Sequence, residues 1–526
     1  MKRLCVLLLI SCMGFSLSEA KNQKPLRDTL NLLSFNDFHG SFLETGNIPG
    51  AARLTASFDL LRQTLPNVMV LAGGDNYSGG YFPRMTGGRP QNTVFDRCGV
   101  VYSAIGNHEF DWGIAAMTER LSWGKTRYLA ANIFSDSLGQ ERPDWAVPYA
   151  IEKRVLKNGI PVRIAFIGLT TCETKTAALP SIVADLCFAN PVEVANNLME
   201  YLKDSADLYI LLTHIGTDME NGQVVFTDLD VDGLTAIDNV AGIFSGHSHK
   251  SVYGLRDGVP VIQAQNYGRK IARLQYEISR DKKGRISQRF IGGGLLETGM
   301  EADSGMEELI AGYLADPTYG FNRILTENLQ ELDPDFNIEG TGITPLGALV
   351  TQSYADSYRR GTHADSSRIV LGICNVGSIR TILPQGEITQ LQAGNIVPFG
   401  GVLNAFRFNG KSLRRLFQYG IECKAGWMQC HNMEITIENG KVTDLVYMQD
   451  GIRRPIYDET PCTVITENFV SSGGDGYPTV LFNALEKDFS EIPAAERNPT
   501  DVFIRYLDAQ TNIDIKDIAV PTVVLK

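Results

Sequence analysis

The chain has 526 residues, more than the roughly 250–300 at which a single hydrophobic core stops growing, so two domains are expected. Its 44% apolar, 21% charged and 9% aromatic content is that of an ordinary globular protein. A formal net charge of −12 without a basic block argues against a partner such as long DNA or RNA, whose phosphates must be neutralised by Lys and Arg. A small anionic substrate would instead be gripped by a few local arginines or by metal ions.

At the N-terminus Lys2 and Arg3 precede the apolar run from Leu4 to Ile10, and small or polar residues follow up to Ala20. A positive region, a short apolar region and an A-x-A-like site predict a secretory signal over residues 1–20, cut after Ala20. The run is too short for a membrane span of about 20 apolar residues, and no later stretch is long and apolar enough to serve as a transmembrane segment. An alternative is lipid anchoring: Leu9-Ile10-Ser11-Cys12 resembles a bacterial lipoprotein box, which would leave Cys12 acylated. Either way the protein is expected to be exported, to the periplasm or beyond. Cleavage would leave seven cysteines, an odd number, so at least one thiol is free; the close pairs are Cys172 with Cys187 and Cys423 with Cys430. The pairing and the oligomeric state are not legible.

From about residue 29 to 295, short aliphatic runs alternate with helical periodicity. Leu30–Phe35, Val68–Leu71, Val100–Ile105, Ile164–Leu169, Leu208–Thr213 and Ala241–Phe244 read as buried strands. Ala51–Leu65 and Val192–Lys203 read as helices. This alternation predicts an α/β domain over 28–300, with ligands at the carboxyl ends of its strands. Ala302–Leu314 reads as an acidic helix, broken by Asp316-Pro317 and Gly320, so the link between domains is placed at 301–330. Residues 331–526 read as a second, α+β domain: a helix over Thr344–Tyr358, with Pro345 in its first turn, and strands at Ile369–Cys374, Leu403–Phe408 and Cys462–Glu467.

The residues that follow the first set of strands are unusual. Asp37-Phe38-His39, Gly74-Asp75-Asn76, Gly106-Asn107-His108-Glu109, Thr213-His214 and Gly246-His247-Ser248-His249 each sit at a strand end, and they hold five of the chain's seven histidines. A single Asp or His in such a place is usually a turn residue or a cap. Five together, mostly flanked by glycines that permit close backbone approach, describe a metal site. Imidazole and carboxylate suit zinc, manganese, iron or cobalt, and one bridging carboxylate can hold two such ions about 3.5–4 Å apart over a phosphoryl group.

The five blocks, in this order, resemble the calcineurin-like metallophosphoesterases. The extended run Gly106-Asn107-His108-Glu109-Phe110-Asp111-Trp112-Gly113 and Leu129-Ala130-Ala131-Asn132-Ile133 resemble their bacterial secreted 5′-nucleotidase/UDP-sugar hydrolase/2′,3′-cyclic phosphodiesterase branch. The resemblance implies a β-sandwich flanked by helices and two divalent metal ions, zinc foremost, with manganese or cobalt as alternatives. It implies Asp37, His39 and His249 on one ion, Asn107, His214 and His247 on the other, and Asp75 between them. Position 249 varies in this branch, where some members carry an amide. His108 resembles the catalytic histidine, donating to the phosphate as charge develops, with Asp111 orienting its ring.

In the second domain, Asn375-Val376-Gly377-Ser378-Ile379-Arg380, Pro398-Phe399-Gly400-Gly401 and the run from Asn468 to Tyr477 stand out. Two phenylalanines on Gly-rich loops offer faces for a flat ring, an aspartate can accept from ribose hydroxyls, and an arginine offers forked donors to phosphate. These segments resemble the C-terminal nucleotide-binding domain of 5′-nucleotidases, which implies that Phe399 and Phe469 sandwich the base and that Asp475 binds ribose. Asn375 and Gly377 would meet base or ribose, and Arg380 phosphate. One departure stands: the stretch Ile338–Gly347 has no arginine where the family usually carries one or more, which shifts the phosphate grip to Arg380, the metals, or Arg359 or Arg360. The leading reading is hydrolysis of nucleoside 5′-monophosphates by a metal-activated hydroxide. The alternatives are a UDP-sugar or nucleotide pyrophosphate hydrolase, a 2′,3′-cyclic-nucleotide phosphodiesterase, and an inactive nucleotide-binding surface protein.

Overall fold

The computed structural model describes residues 26–136, 138–334, 342–422 and 427–526. The expected signal sequence with Cys12, residues 335–341 of the arginine-poor stretch, and Cys423 lie outside the described residues.

Two six-stranded sheets form the N-terminal half. In one, strands Leu26–Phe35, Val68–Ala72, Val100–Ala104 and Arg127–Leu129 run parallel, and Lys270–Arg280 and Ile286–Glu297 close the edge antiparallel. In the other, Pro161–Thr170, Leu208–His214, Val240–Phe244 and Val259–Ala264 are parallel, flanked antiparallel by Tyr149–Val155 and Ser251–Arg256. Alternation assigns the side chains to layers. Leu30, Leu32, Met69, Leu71 and Tyr102 of the first sheet meet Ile164, Phe166, Ile210 and Leu212 of the second in a dry middle layer.

The opposite faces are covered by helices. Leu33, Phe35 and Val70 pack on Leu54 and Phe58 of helix Gly50–Thr64 and on Val94 and Phe95 of helix Arg89–Cys98. Ala165, Ile167 and Leu211 pack on Ala195 and Met199 of helix Pro191–Tyr201. The result is the helix-flanked sandwich expected, and the carboxyl ends of its parallel strands lie together at one rim.

Helix Ser304–Ala315, capped by Asp303, leads out of this half. Strand Ile324–Asn328, within the stretch read as the link, already pairs with C-terminal strands Gly386–Thr389 and Asn512–Ile513. A four-stranded sheet orders Leu403–Asn409, Pro461–Glu467, Val370–Cys374 and Gln429–Cys430. Helix Pro345–Thr362 lies on it, its first turn closed by Thr344 Oγ, which accepts from Gly347 N at 2.9 Å. The hairpin Met433–Glu438/Lys441–Gln449, with Ile452–Pro455 and Thr522–Leu525, makes a second four-stranded sheet that sequence reading left unassigned. Cys98, Cys172, Cys187, Cys374, Cys430 and Cys462 are all free thiols. No helix among the described residues is long and apolar enough to cross a membrane.

Candidate active site

The five strand-end blocks converge at the rim. Asp37, His39, Asp75, His247 and His249 all adopt positive φ, between 49° and 73°, a region that non-glycine residues seldom occupy and that clusters where side chains are aimed for function. Hydrogen bonds hold these turns: Asp37 N donates to Gly74 O and His39 N to Asp75 O, both at 3.0 Å. Glycine is required where the loops cross. A Cβ on Gly106 would stand 2.1 Å from Asp75 Oδ1, and one on Gly74 2.7 Å from His214 Nδ1.

Donor groups result. Asp37, His39 and His249 form one and Asp75, His214 and His247 another, each with its donor atoms within 4.8 Å of one another; His39, Asp75 and His108, and Glu173, Asp228 and His247, meet the same limit. Around one ion with bonds of about 2.0–2.2 Å, donors stand roughly 3.0–3.5 Å apart. His39 Nε2 lies 3.0 Å from His249 Nε2 and 3.8 Å from Asp37 Oδ1; His249 Nε2 lies 3.3 Å from Asp37 Oδ1. His214 Nε2 lies 3.0 Å from Asp75 Oδ2 and 3.2 Å from Asn107 Oδ1.

The tautomers support the fit. Carbonyl oxygens only accept, so His39 Nδ1 donates to Ser78 O and His214 Nδ1 to Gly73 O, each at 2.7 Å. In the neutral rings both Nε2 atoms then carry lone pairs, and His214 aims its lone pair at a carboxylate and an amide oxygen. Such a meeting of acceptors calls for a cation. A proton can serve: although burial opposes charge, Asp75 and Asp37 raise His214 to about 10. Burial and its neighbour His249 push His39 the other way, well below the usual imidazole range. Against the upward push of burial, His249 and His214 bring the Asp37 carboxyl down to about 2.

His249 differs from the other rings. The Asn266 oxygen accepts from Arg269, so its amide nitrogen faces His249 Nδ1 at 3.0 Å. That places the hydrogen of neutral His249 on Nε2, toward Asp37. Binding a metal through Nε2 requires the Asn266 amide to exchange its two ends.

His108 follows Asn107 in a short 3₁₀ turn. Its Nδ1 lies 2.8 Å from Asp111 Oδ2, which also accepts from Ser78 Oγ at 2.5 Å. Burial opposes the charged ring, yet Asp111 and Asp75 raise its pKa. Its backbone N–H donates to Asp75 Oδ1 at 2.8 Å.

The C-terminal half closes over this rim. A cleft of about 250 Å³ is lined by Asn107, His108, Asp111 and His247 from one side, and by Asn375, Gly377, Arg380, Phe399, Phe469 and Asp475 from the other. Asn375 donates to Asp475 Oδ2 at 2.6 Å. Phe469 sits against the bare backbone of Gly474, where a Cβ would stand 2.6 Å from the ring. Arg380 Nε and Nη2 are buried without a hydrogen-bond partner, and its guanidinium lies 5.2 Å from the Phe399 ring centre. Two buried N–H groups on this half-buried guanidinium are therefore available to donate to an anion. Arg359 does not reach the cleft lining. It bonds Tyr447 Oη at 3.1 Å and pairs with Asp356, and Arg360 is exposed. Of the three arginines considered for phosphate, only Arg380 lines the cleft.

Several residues here were not singled out from the sequence. Glu109 is buried, and its carboxylate accepts from Asp75 N at 2.9 Å, Asn76 N at 2.7 Å and Gly106 N at 2.7 Å, bracing two of the loops. Its place inside the Gly-Asn-His-Glu block was the available signal. Ser78, which serves both His39 and Asp111, and Glu173, 3.5 Å from His247 Nε2, carried none, because only the folded loops bring them near.

Residues 30–251 match the family model described as calcineurin-like phosphoesterase, and residues 327–481 the one described as 5′-nucleotidase, C-terminal domain. A 5′-nucleotidase of Vibrio cholerae is 24% identical over 537 residues, covering 93% of this chain and 92% of that protein. Protein UshA of Escherichia coli is 23% identical over 496 residues, 85% of this chain and 86% of that protein. The crystal structure of a 5′-nucleotidase precursor from Thermus thermophilus superposes with a TM-score of 0.75 at 22% identity, over 94% of this chain and 99% of that one, a likeness of fold. With a calcineurin-like domain that implies divalent ions joined, in this order, to that C-terminal partner, the chain belongs to the 5′-nucleotidase family of metal-dependent phosphohydrolases.

Proposed function

We propose that this protein hydrolyses nucleoside 5′-monophosphates to nucleoside and phosphate in the cleft between its two halves. The observation that carries this reading is the Arg380 guanidinium, whose buried Nε and Nη2 have no hydrogen-bond partner, set in one cavity with His108 and with both Phe399 and Phe469. One cavity thus offers a cation for phosphate, flat faces for a base and a donor for the phosphoryl group.

Asp37, His39 and His249 would hold one divalent ion, Asn107, His214 and His247 the other, and Asp75 both; the mixed nitrogen and oxygen donors suit zinc best, with manganese or cobalt next. Two such ions, when bound, polarise the phosphoryl oxygens and lower the pKa of water. The chain's own residues do the rest. Arg380 draws the phosphate to the rim, and the two phenylalanines hold the base. Asn375 and Asp475 take ribose or base edges. His108 donates through Nε2 to an oxygen of the phosphoryl group, while Asp111 fixes the opposite nitrogen as donor and stabilises the charged ring. Against the opposing effect of burial, the Asp111 carboxylate, 2.8 Å from Nδ1, favours the charged ring. We further propose export by a signal cut after Ala20.

The test is phosphate release from AMP, GMP, UMP, ATP, UDP-glucose and 2′,3′-cyclic AMP by purified mature protein. The reading expects a monophosphate to lead. Turnover led by UDP-glucose or the cyclic nucleotide would keep the site and overturn the substrate.

A further inference from the structure

The Phe399 ring does not face the nucleotide slot alone. Its centre lies 5.2 Å from that of His108, with the two planes only 10° apart, an offset stack. The ring thus touches the imidazole assigned to phosphate transfer while it lines the slot with Phe469. The loop that carries it, between helix Gln390–Ile396 and strand Leu403–Asn409, continues into Gly400 and Gly401, both at left-handed φ, 85° and 83°. The ring is half-buried, so its place depends on what packs against it.

From its own half the His108 ring is held by the 2.8 Å bond from Nδ1 to Asp111 and by an edge-on contact with His39, ring centres 5.1 Å apart at 76°. One hydrogen bond and an edge contact still leave a face of the imidazole open; a parallel ring against that face limits its tilt. We propose that Phe399 is a positioning residue for His108, so that a base seated against Phe399 steadies the donor of the phosphoryl step. Nucleotides would then gain in kcat, and not only in KM, over phosphate esters without a base. This rests on His108 acting as proposed above, and adds that the second half of the molecule takes part in the chemical step by packing.

The experiment uses the full mature protein with ribose 5-phosphate, which has no base to stack, and AMP. If Phe399 served only the base, Phe399→Ala would raise the KM for AMP and leave ribose 5-phosphate turnover unaltered. If it positions His108, Phe399→Ala lowers kcat for both substrates by about tenfold, and Phe399→Tyr, which keeps the ring, restores both. In a His108→Ala background the added Phe399→Ala change costs ribose 5-phosphate turnover less than about twofold, because the residue through which it acts is gone. An independent readout is the His108 imidazole proton resonance, assigned by its loss in His108→Ala. It moves downfield when the stacked ring is removed and returns in Phe399→Tyr. An unmoved resonance, or an unaltered kcat for ribose 5-phosphate in Phe399→Ala, overturns the proposal. Wild-type turnover in His108→Ala would instead overturn the role of His108 itself.

Discussion

Asp111→Asn separates charge from shape in the His108 dyad. Asp111 Oδ2 receives two donors, His108 Nδ1 at 2.8 Å and Ser78 Oγ at 2.5 Å. The amide oxygen of Asn can stand in the same place and accept both, so the ring keeps its orientation. What is lost is the negative charge beside an imidazole that must carry a proton into the transition state. A hydrogen bond to a charged partner contributes about 1.5–3 kcal/mol, against about 1 kcal/mol for a neutral one. At about 1.4 kcal/mol per tenfold in rate, the difference of about 0.5–2 kcal/mol lowers kcat about two- to thirtyfold. Asp111 lies in none of the donor groups, so metal content should remain that of wild type. The assay is steady-state phosphate release from AMP, with elemental analysis of the same sample. Unchanged kcat with full metal content would refute the dyad, and loss of metal would show that Asp111 acts on the ligand cluster.

Arg380→Met removes the guanidinium and should raise the KM for AMP about ten- to a hundredfold; steady-state kinetics showing an unaltered KM would place the phosphate elsewhere. Glu109→Gln turns an amide N–H toward at least one of the three backbone N–H groups that the carboxylate now receives. A cost of about 1–3 kcal/mol is expected, read as a lower Tm together with weaker metal retention, and a wild-type Tm would contradict the bracing role. Burial lifts the Glu467 carboxyl to about 7, even though Tyr354 and Ser378 favour its ionised form. The folded state therefore holds this proton more tightly than the unfolded chain, where the value is near 4.5. The associated stability is full below pH 4.5 and is lost as pH rises to 7, at most about 3 kcal/mol at roughly 1.4 kcal/mol per unit. Glu467→Gln should flatten the fall of Tm over that window in nucleotide-free protein, and an unchanged pH profile would contradict it.

Much of the fold was legible because its strands are short β-branched or aliphatic runs buried on both faces. Val68–Ala72, Leu208–His214 and Val240–Phe244 fall within a residue or two of expectation. The hairpin Met433–Gln449 was not, since the half-buried Glu434 and Thr443 and the exposed Asp444 interrupt its aliphatic runs and it carries no motif. The candidate site was legible where one block holds both the ligand and its turn, as in Asp37-Phe38-His39. Residues that act across loops were not. Asn132, quoted only as part of a resemblance, receives from Thr170 N at 2.9 Å and donates to Thr170 O at 2.7 Å, tying the ends of the two sheets together. The orientation of His249 depends on Asn266 and Arg269, which no spacing rule connects to it. That Arg380 lines the cleft while Arg359 bonds Tyr447 instead is set by the fold and by no local motif.

The central claim is that two ions, held on either side of Asp75, support hydrolysis of a nucleoside monophosphate. The most direct test strips the protein with a chelator and titrates back zinc, then manganese and cobalt in separate runs, while AMP hydrolysis and bound metal are followed together. The account predicts no turnover in the stripped protein and full activity at two bound ions per chain. Turnover without metal, or full activity at one ion with no second site, would contradict it.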